Sequence, residues 1–298
     1  MLDLSSDVLF NVLAQLTRIA DALEQQRSPQ PSPWQDGVLA WLWRPTSASG
    51  ASAAALLPVE QPDLIQFADL KNVERQRRLI EQNTRQFVAG KPANNVLLTG
   101  SRGTGKSSLV KACLAAFHAQ GLRLIEVDKD HLNDLPHIIE HLRRRPERFI
   151  VFCDDLSFDD GETSYKGLKS VLDGSIASHA RNVLIYATSN RRHLLAERIE
   201  DNLNTQRSES GELHPGEALE EKVSLSERFG LWISFYAFSQ NEYLAAVEHW
   251  LAQYNAPALD DAGRLAAIRW ATQRGSRSGR IAHQFARDLA GRLTTATE

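Results

Sequence analysis

The sequence predicts an α/β fold, in which a parallel sheet is flanked by helices and an all-helical segment follows. Short apolar runs alternate with helical patterns through the middle of the chain, as in strands joined by helical crossovers. The runs are almost continuously apolar, which is typical of parallel strands covered on both faces. They span residues 96–98, 122–127, 149–153, 183–186 and 231–235. Beyond residue 238 only helical patterns remain, and this predicts a C-terminal helical lid.

The composition is typical of a water-soluble globular protein. The chain has 298 residues, of which 42% are hydrophobic, and a formal net charge of −3. With this net charge the protein has no overall electrostatic field that would attract nucleic acid or an anionic membrane. Only a local basic patch could bind either of them. No apolar run approaches the roughly 20 residues of a membrane-spanning helix. Asp3 and Asp7 lie where a signal peptide would carry basic residues.

The two cysteines also indicate a reducing compartment. Cys113 falls within a predicted helix and Cys153 within a predicted strand, so we expect both to be buried and reduced. Together with the absence of a signal peptide pattern, this predicts a cytoplasmic protein.

A phosphate-binding loop is the strongest motif. Residues 95–108 read Asn-Val-Leu-Leu-Thr-Gly-Ser-Arg-Gly-Thr-Gly-Lys-Ser-Ser, which matches the G-x-x-x-x-G-K-[ST] pattern between a predicted strand and a helix predicted over 107–116. Backbone N–H groups and the helix N-terminus would face an anionic phosphate. We expect Lys106 to reach the β- and γ-phosphates of a nucleotide and the Ser107 hydroxyl to bind Mg²⁺. The expected phosphate-binding residues are Gly100, Ser101, Arg102, Gly103, Thr104, Gly105, Lys106, Ser107 and Ser108.

Polar side chains follow two further strands. Asp154 and Asp155 come directly after the strand predicted over 149–153, and Asn190 follows the strand that begins at residue 183. Parallel strands bring these carboxyl ends to one edge of the sheet. We expect Asp154 to hold Mg²⁺ through water, Asp155 to orient or deprotonate the attacking water, and Asn190 to hydrogen-bond the γ-phosphate or that water. A solvated strand end and a turn asparagine are the alternative interpretations.

Two arginines are candidates for neutralising phosphate charge. Arg228 directly precedes the last strand, and at the domain edge it could enter a neighbouring subunit's site as an arginine finger. An ordinary surface arginine is the alternative. Arg280 lies in the first turn of the last predicted helix, where the helix dipole disfavours a cation, and a nearby phosphate would explain it. Arg274 and Arg277 are rival candidates.

We expect three segments along the chain: residues 1–60, a core over 61–238 and a lid over 239–298. The first combines a helix over 4–24, a proline-rich linker over 27–33 and a tryptophan-rich strand segment. The apolar stripe of the helix packs on the protein's own core or forms a seam for self-association or for a partner. Strands are predicted over 38–43 and 51–59, and the tryptophans there form local core or, less favoured, a docking surface. They are Trp34, Trp41 and Trp43.

The ends of the core and the lid carry recognisable signals. A polar, glycine- and proline-containing stretch over 198–227 interrupts the strand–helix rhythm, and so long a loop is usually functional or mobile. Three helices are predicted in the lid from their N-caps. The caps are Ser239 with Glu242, then Asp260 or Asp261, and then Ser276 or Ser278.

In this order the motifs resemble those of AAA+ ATPases: phosphate loop, paired acids, sensor asparagine, finger arginine and second sensor arginine. A closer resemblance, over about residues 60 to 290, is to a bacterial AAA+ family catalogued as domain of unknown function 815. It rests on residues 69–70, 74–76, 83–87, 92–98, 125–129, 145–149, 154–158 and 186–194. The paired aspartates agree with this family, although Asp155 is shorter than the glutamate usual in AAA+ proteins. Asn72 replaces a usual glycine, but asparagine tolerates a left-handed backbone.

The resemblance implies an ATP-binding and ATP-hydrolysing P-loop NTPase that uses Mg²⁺ and assembles into a ring or partial ring. It does not identify the partner on which the protein acts. The favoured function is an oligomeric ATPase that remodels or loads a protein partner. A threading unfoldase is less favoured, because residues 128–134 lack an aromatic-glycine pair and Tyr165-Lys166-Gly167 is a weak substitute.

Three other functions stay open. One is a slowly hydrolysing ATP-gated switch that signals by lid closure. Another is a nucleic-acid-associated ATPase, suggested by arginines at 143–145, 191–192 and 274–280, although these more often belong to helix ends and phosphate sites. The last is a small-molecule kinase. The position of Arg228 late in the chain and the helical lid argue against it.

Overall fold

The structure is a computed structural model. It describes residues 15–18, 34, 37–46, 53–157, 165–173, 180–190, 206–207, 213–214 and 225–295. The chain divides into two compact units, Met1–Gly37 and Val38–Glu298. In the first unit residues 15–18 are helical. The remainder of the helix expected over 4–24 and the linker expected over 27–33 lie outside the described residues.

Counted over the described residues, a seven-stranded sheet forms the centre of the second unit. The strands are β1 (Ala40–Thr46), β2 (Ala53–Pro58), β3 (Val96–Gly100), β4 (Leu122–Val127), β5 (Arg148–Cys153), β6 (Val183–Ser189) and, after a small pair, β9 (Leu231–Phe235). Their spatial order is β2-β1-β4-β5-β6-β3-β9. β1 and β2 are antiparallel and all other neighbours are parallel. The small pair, β7 (Gln206–Arg207) and β8 (Leu213–His214), is antiparallel. The predicted parallel sheet is therefore confirmed.

The N-terminal strand pair extends the central sheet, whereas we expected it to belong with residues 1–60. β1 lies parallel to β4, with Trp41 opposite Ile125 and Trp43 opposite Val127. Both tryptophans are only 3% exposed, and Trp43 Nε1 donates a hydrogen bond to Asp134 Oδ2 at 2.8 Å. Burial of two large aromatic side chains stabilises the added strand. The local-core interpretation of these two tryptophans is confirmed.

Helices cover the sheet in the core. They are α1 (Glu74–Val88), α2 (Lys106–Phe117), α3 (Leu135–Leu142) and α4 (Tyr165–Leu172). α1 and α2 contribute Ile80, Phe87 and Leu109 to a hydrophobic cluster that includes every second residue of the strands, such as Ile150 and Phe152. Strand residues that alternate with these point to the other face. In β3 and β5 these residues are buried as well, as are the apolar residues of α3, so the centre of the sheet is covered on both faces. In β9, at the edge of the sheet, Trp232 and Ser234 are exposed.

The lid consists of α5 (Gln240–Gln253), α6 (Asp261–Gln273) and α7 (Gly279–Thr295), and it has its own hydrophobic cluster. The capping box is present, because Ser239 N donates to Glu242 Oε2 at 2.7 Å and Glu242 N donates to Ser239 Oγ at 3.3 Å. Asp260 caps α6 by accepting a hydrogen bond from Gly263 N at 2.7 Å. Before α7, Ser278 Oγ accepts one from the N–H of Ile281. Among the described residues, no helix has both the length and the apolar character needed to cross a membrane.

Both cysteines behave as predicted. Cys113 and Cys153 are buried and form no disulfide, and burial raises the pKa of each thiol to about 12. They serve as small apolar side chains in the core.

Gly167 in α4 allows this helix to approach the 3₁₀ segment Lys129–Asp134. A Cβ atom on Gly167 would lie 2.3 Å from the carbonyl oxygen of Leu132 and 2.7 Å from Cα of Asn133. The contact gives this glycine a packing role, in the same Tyr165-Lys166-Gly167 sequence that was the weak candidate for a pore element.

Replacing Gly167 by alanine should destabilise the protein, because the clash is with backbone atoms. We expect the free energy of unfolding to fall by about 1–3 kcal/mol, the range for overpacking. Gly291→Ala in α7 is the matched control, since an added Cβ meets nothing within 4 Å and alanine is favoured in a helix by about 0.5–1 kcal/mol. Urea denaturation followed by circular dichroism measures both changes. Equal stability of the two variants would contradict the packing role.

Candidate nucleotide-binding site

The phosphate loop connects the carboxyl end of β3 to the start of α2. Gly100 has a φ of 128°, and a Cβ atom there would lie 1.9 Å from the carbonyl oxygen of Phe235 in β9. Gly105, directly before α2, has a left-handed φ of 98°. Such conformations favour glycine, so local backbone geometry explains both residues. The loop backbone therefore wraps the N-terminus of α2, as phosphate binding requires.

Lys106 is the buried cation of the site, with an exposure of 6%. Its ammonium group donates hydrogen bonds to the carbonyl oxygens of Gly100 at 2.7 Å and Ser101 at 2.8 Å, and to Asn190 Oδ1 at 3.0 Å. Burial lowers the pKa of Lys106 from 10.5 to about 8, although nearby carboxylates oppose the shift. An ammonium group with little water around it attracts an anion more strongly than one in bulk solvent.

Ser107 and Asp154 meet at the start of α2. Ser107 Oγ donates a hydrogen bond to Asp154 Oδ1 at 2.7 Å, and Thr188 Oγ1 donates to the same oxygen at 2.5 Å. One hydroxyl and one carboxylate suit Mg²⁺, which usually keeps several water ligands. Among the described residues, no three His, Cys, Asp or Glu side chains are grouped to hold a metal ion. The residues present therefore fit a largely hydrated Mg²⁺ better than a metal enclosed by protein ligands.

Asp155 is held in a left-handed conformation, with a φ of 52°. Its N–H donates to Thr188 Oγ1 at 2.8 Å, and its carboxylate accepts a hydrogen bond from Asn190 Nδ2. Arg102 of the phosphate loop lies 3.6 Å from the other carboxylate oxygen. Because Asn190 also contacts Lys106, one amide side chain links the lysine to the acid.

These groups surround a cavity of about 800 Å³. The expected site residues that line it are Arg102, Gly103, Thr104, Gly105, Lys106, Ser107, Ser108, Asp154, Asp155, Asn190 and Arg280. Gly100 and Ser101 contribute through the carbonyl oxygens that hold Lys106. The cavity thus brings together all the predicted site residues except Arg228.

The lid contacts the phosphate loop directly. Arg280 N, in the first turn of α7, donates a hydrogen bond to the carbonyl oxygen of Gly103 at 3.2 Å. A Cβ atom on Gly103 would lie 2.8 Å from Ser278 Oγ, so the two segments pack closely. Asn72, with a left-handed φ of 62°, makes a second link, because its Nδ2 donates to the carbonyl oxygen of Glu242 at 2.9 Å. The left-handed backbone expected at Asn72 is therefore present.

Several residues of the site were not predicted from the sequence. The cavity is also lined by Leu64 and Ile65 from the core and by Phe238, Trp250 and His283 from the lid side. The rings of Trp250 and His283 are 4.3 Å apart. These residues come from segments far apart in the chain, so no local pattern marks them. Thr188, which holds both acids, was also missed, although a polar residue near the end of an apolar strand was a usable signal.

Arg228 lies elsewhere in the subunit. Its guanidinium group forms an ion pair with Asp173, just beyond α4. It lines a second cavity of about 780 Å³ together with the first residues of β5 and β6, at the edge of the sheet opposite the phosphate loop. The structure therefore places Arg228 outside the cavity that its own subunit offers to a nucleotide.

Several arginines of the three clusters are engaged within the protein. Arg143 pairs with Glu140 at 2.8 Å and Arg145 with Glu147 at 2.7 Å. In the lid, the guanidinium carbon of Arg274 lies 3.5 Å from the centre of the Trp270 ring. The pair at residues 191–192 lies outside the described residues.

Solved structures of RuvB from Thermotoga maritima have similar folds. One, titled as a Holliday junction branch migration motor, is 15% identical with a TM-score of 0.50, and the alignment covers 78% of this chain and 66% of that one. A mutant of the same protein is 16% identical with a TM-score of 0.51, over 76% of this chain and 63% of that one. This chain thus spans less than two thirds of their length. At such low identity the likeness shows the fold alone, a P-loop NTPase fold of the AAA+ type.

No match was found among the curated proteins. A family model described as "Protein of unknown function (DUF815)" matches residues 38–293. This region contains every strand of the central sheet, the phosphate loop, the paired acids and the helical lid. The resemblance to that family is therefore confirmed, and the chain belongs to the DUF815 family.

Proposed function

We propose that this protein is an ATPase that binds ATP with Mg²⁺ and hydrolyses it to ADP and phosphate. The observation that carries the proposal is the meeting of Lys106, the Ser107–Asp154 pair and the Asp155–Asn190 pair around one cavity at the carboxyl edge of a parallel sheet. Open α/β sheets bind their ligands at this edge. The cavity offers both polar groups for the phosphates and apolar side chains for the base of a nucleotide.

The phosphates would lie on the loop between β3 and α2. Main-chain N–H groups and Lys106 bind their oxygens, and Ser107 with Asp154 would hold Mg²⁺. When bound, this ion supplies positive charge to the phosphate oxygens and the leaving group. The base would lie where Ile65 and Trp250 offer apolar surface.

Hydrolysis requires a water in line with the γ-phosphate. Asp155 orients this water or accepts its proton, and Asn190 hydrogen-bonds the water or the γ-phosphate. Since the carboxylate of Asp155 now accepts a hydrogen bond from Asn190, it exchanges that partner for water before the reaction. Arg280 supplies a cation from the lid, and we propose that residues 239–298 move as that lid, with the Arg280–Gly103 contact linking its position to the phosphate loop.

We further propose that the enzyme works as a homo-oligomer in which Arg228 completes the site of a neighbouring subunit. Its position away from its own cavity supports this role. The work done by the assembly would be the remodelling or loading of a protein partner. Nucleic acid is less favoured, because Arg143 and Arg145 are paired with glutamates.

Lys106→Ala should abolish ATP binding, whereas Asp155→Asn should leave binding intact and stop turnover. The lysine contacts the phosphates of the bound substrate, while the aspartate acts on the attacking water. We expect kcat of the Asp155→Asn variant to fall by about 10²–10⁴-fold, the usual contribution of general acid–base catalysis. Binding of a fluorescent ATP analogue and phosphate release measure the two effects. Full turnover by Lys106→Ala would contradict the proposed site.

The same pair of variants tests a second candidate, a slowly hydrolysing ATP-gated switch. The contacts of Asp155 with Asn190 and Arg102 favour it, because one partner lies at each of the two carboxylate oxygens that would otherwise act on the attacking water. A switch predicts that Asp155→Asn changes neither ATP binding nor an already slow turnover.

Specific activity should rise with protein concentration, because sites are completed between subunits. Arg228→Ala should flatten this dependence and lower the plateau by about 10³-fold, as for other arginine fingers. Phosphate release per subunit across a wide concentration range measures the effect, and light scattering reports the assembly. Retained concentration dependence in Arg228→Ala would contradict action in trans.

ATP affinity should decrease as the pH rises above 8. The pKa of Lys106 is about 8 without nucleotide, so the ammonium group is charged at pH 7 and loses its proton above pH 8. Bound phosphates favour the charged form, so binding takes up a proton and affinity falls by up to roughly tenfold per pH unit. Titration calorimetry in buffers of different ionisation enthalpy detects the uptake. The Lys106→Arg variant should show no proton uptake, because arginine does not titrate in this pH range. An unchanged ATP affinity of the wild-type protein at pH 9 would refute the assignment of Lys106 as the phosphate-binding cation.

A further inference from the structure

The backbone around Arg228 is firmly anchored. Residues 225–227 form a helical turn just before β9, and Phe229 N donates a hydrogen bond to the carbonyl oxygen of Ser226 at 3.2 Å. Leu225, Ser226 and Phe229 are all buried, with exposures of 1%, 0% and 4%. The backbone therefore fixes the point from which the Arg228 side chain projects. The direction of its guanidinium group depends on the residues that this long side chain contacts.

Asp173 contacts the guanidinium group of Arg228. It follows α4 directly, and its N–H donates to the carbonyl oxygen of Lys169 at 2.9 Å, so it continues the helical hydrogen bonding. Its carboxylate contacts Nε of Arg228. The side chain of Arg228 is 23% exposed and that of Asp173 is 44% exposed. A contact at Nε restrains the orientation of the planar guanidinium group relative to the aliphatic part of the side chain. A contact at one of the two terminal nitrogens would restrain it less.

The other charged residues of the second cavity, among those the structure describes, are positive. Lys91, Arg148 and Arg181 also line the second cavity, and none of the described residues that line it is acidic. Like charges that line one cavity repel one another, and the carboxylate of Asp173 opposes that repulsion at Nε of Arg228.

We propose that Asp173 is a positioning residue that orients Arg228 for the neighbouring subunit's nucleotide. The inference rests on the proposed function, in which Arg228 acts in trans. A partly exposed ion pair of this kind contributes little to folding stability, so its removal should leave the fold intact. Its effect should instead appear in the rate, because a misplaced catalytic group can cost orders of magnitude.

Mixed assemblies separate the subunit that donates Arg228 from the subunit that hydrolyses ATP. Asp155→Asn subunits serve as donors, since they keep ATP and an intact Arg228, and Arg228→Ala subunits serve as acceptors. Mixing them should restore hydrolysis in the acceptors. Adding Asp173→Asn to the donors should lower the restored rate by about tenfold or more, whereas adding it to the acceptors should not. Asp173→Glu, which keeps the charge, should retain part of the rescue.

Controls distinguish positioning from a structural effect. Asp288→Asn removes a comparable acid, 39% exposed and paired with Arg292 in the lid, and should change nothing when placed in the donors. Thermal midpoints and ATP affinity should match among all donors. Equal loss of rescue from donors and acceptors, or no loss from either, would overturn the role of Asp173. Absence of rescue in the parent mixture would overturn the trans action of Arg228 and this inference with it.

Discussion

The burial of the Lys106 charge is the constraint on which the rest of the site depends. A cation with 6% exposure is tolerated only where oxygen atoms replace its water. Two of these oxygens come from the end of β3 and its loop, and the third comes from Asn190 beyond β6. β3 and β6 are direct neighbours in the sheet, so strand order itself brings the third oxygen to the lysine. We propose the same cation as the phosphate ligand.

A second consequence concerns the lid. The phosphate loop is bonded to the first turn of α7 through Gly103 and Arg280, and the loop at Asn72 is bonded to α5. Nucleotide phosphates that displace either contact would alter the position of the whole lid, because its three helices share one hydrophobic cluster. This is a structural route by which binding or hydrolysis could produce movement, and it needs no contact between nucleotide and partner.

Much of this architecture could be predicted from the sequence. The apolar strands, the phosphate loop and the capping box are local signals, and the strand Leu122–Val127 begins and ends where expected. The added strands β1 and β2 could not be placed in the sheet, because the pairing of β1 with β4 depends on burial of Trp41 and Trp43 against distant residues. For the same reason Trp250 and His283 could not be predicted as site residues, because they line the cavity only after the lid folds over it.

The sequence by itself determined the kind of chemistry, because glycine, lysine and hydroxyl residues at fixed spacing constrain one short loop. It also determined that Asp154, Asp155 and Asn190 end parallel strands. Only the tertiary structure decided how these groups engage one another: that Thr188 holds both acids, and that Asn190 links the acid to the lysine. Such contacts join separate strands, and their geometry depends on sheet order and register, which no local pattern records.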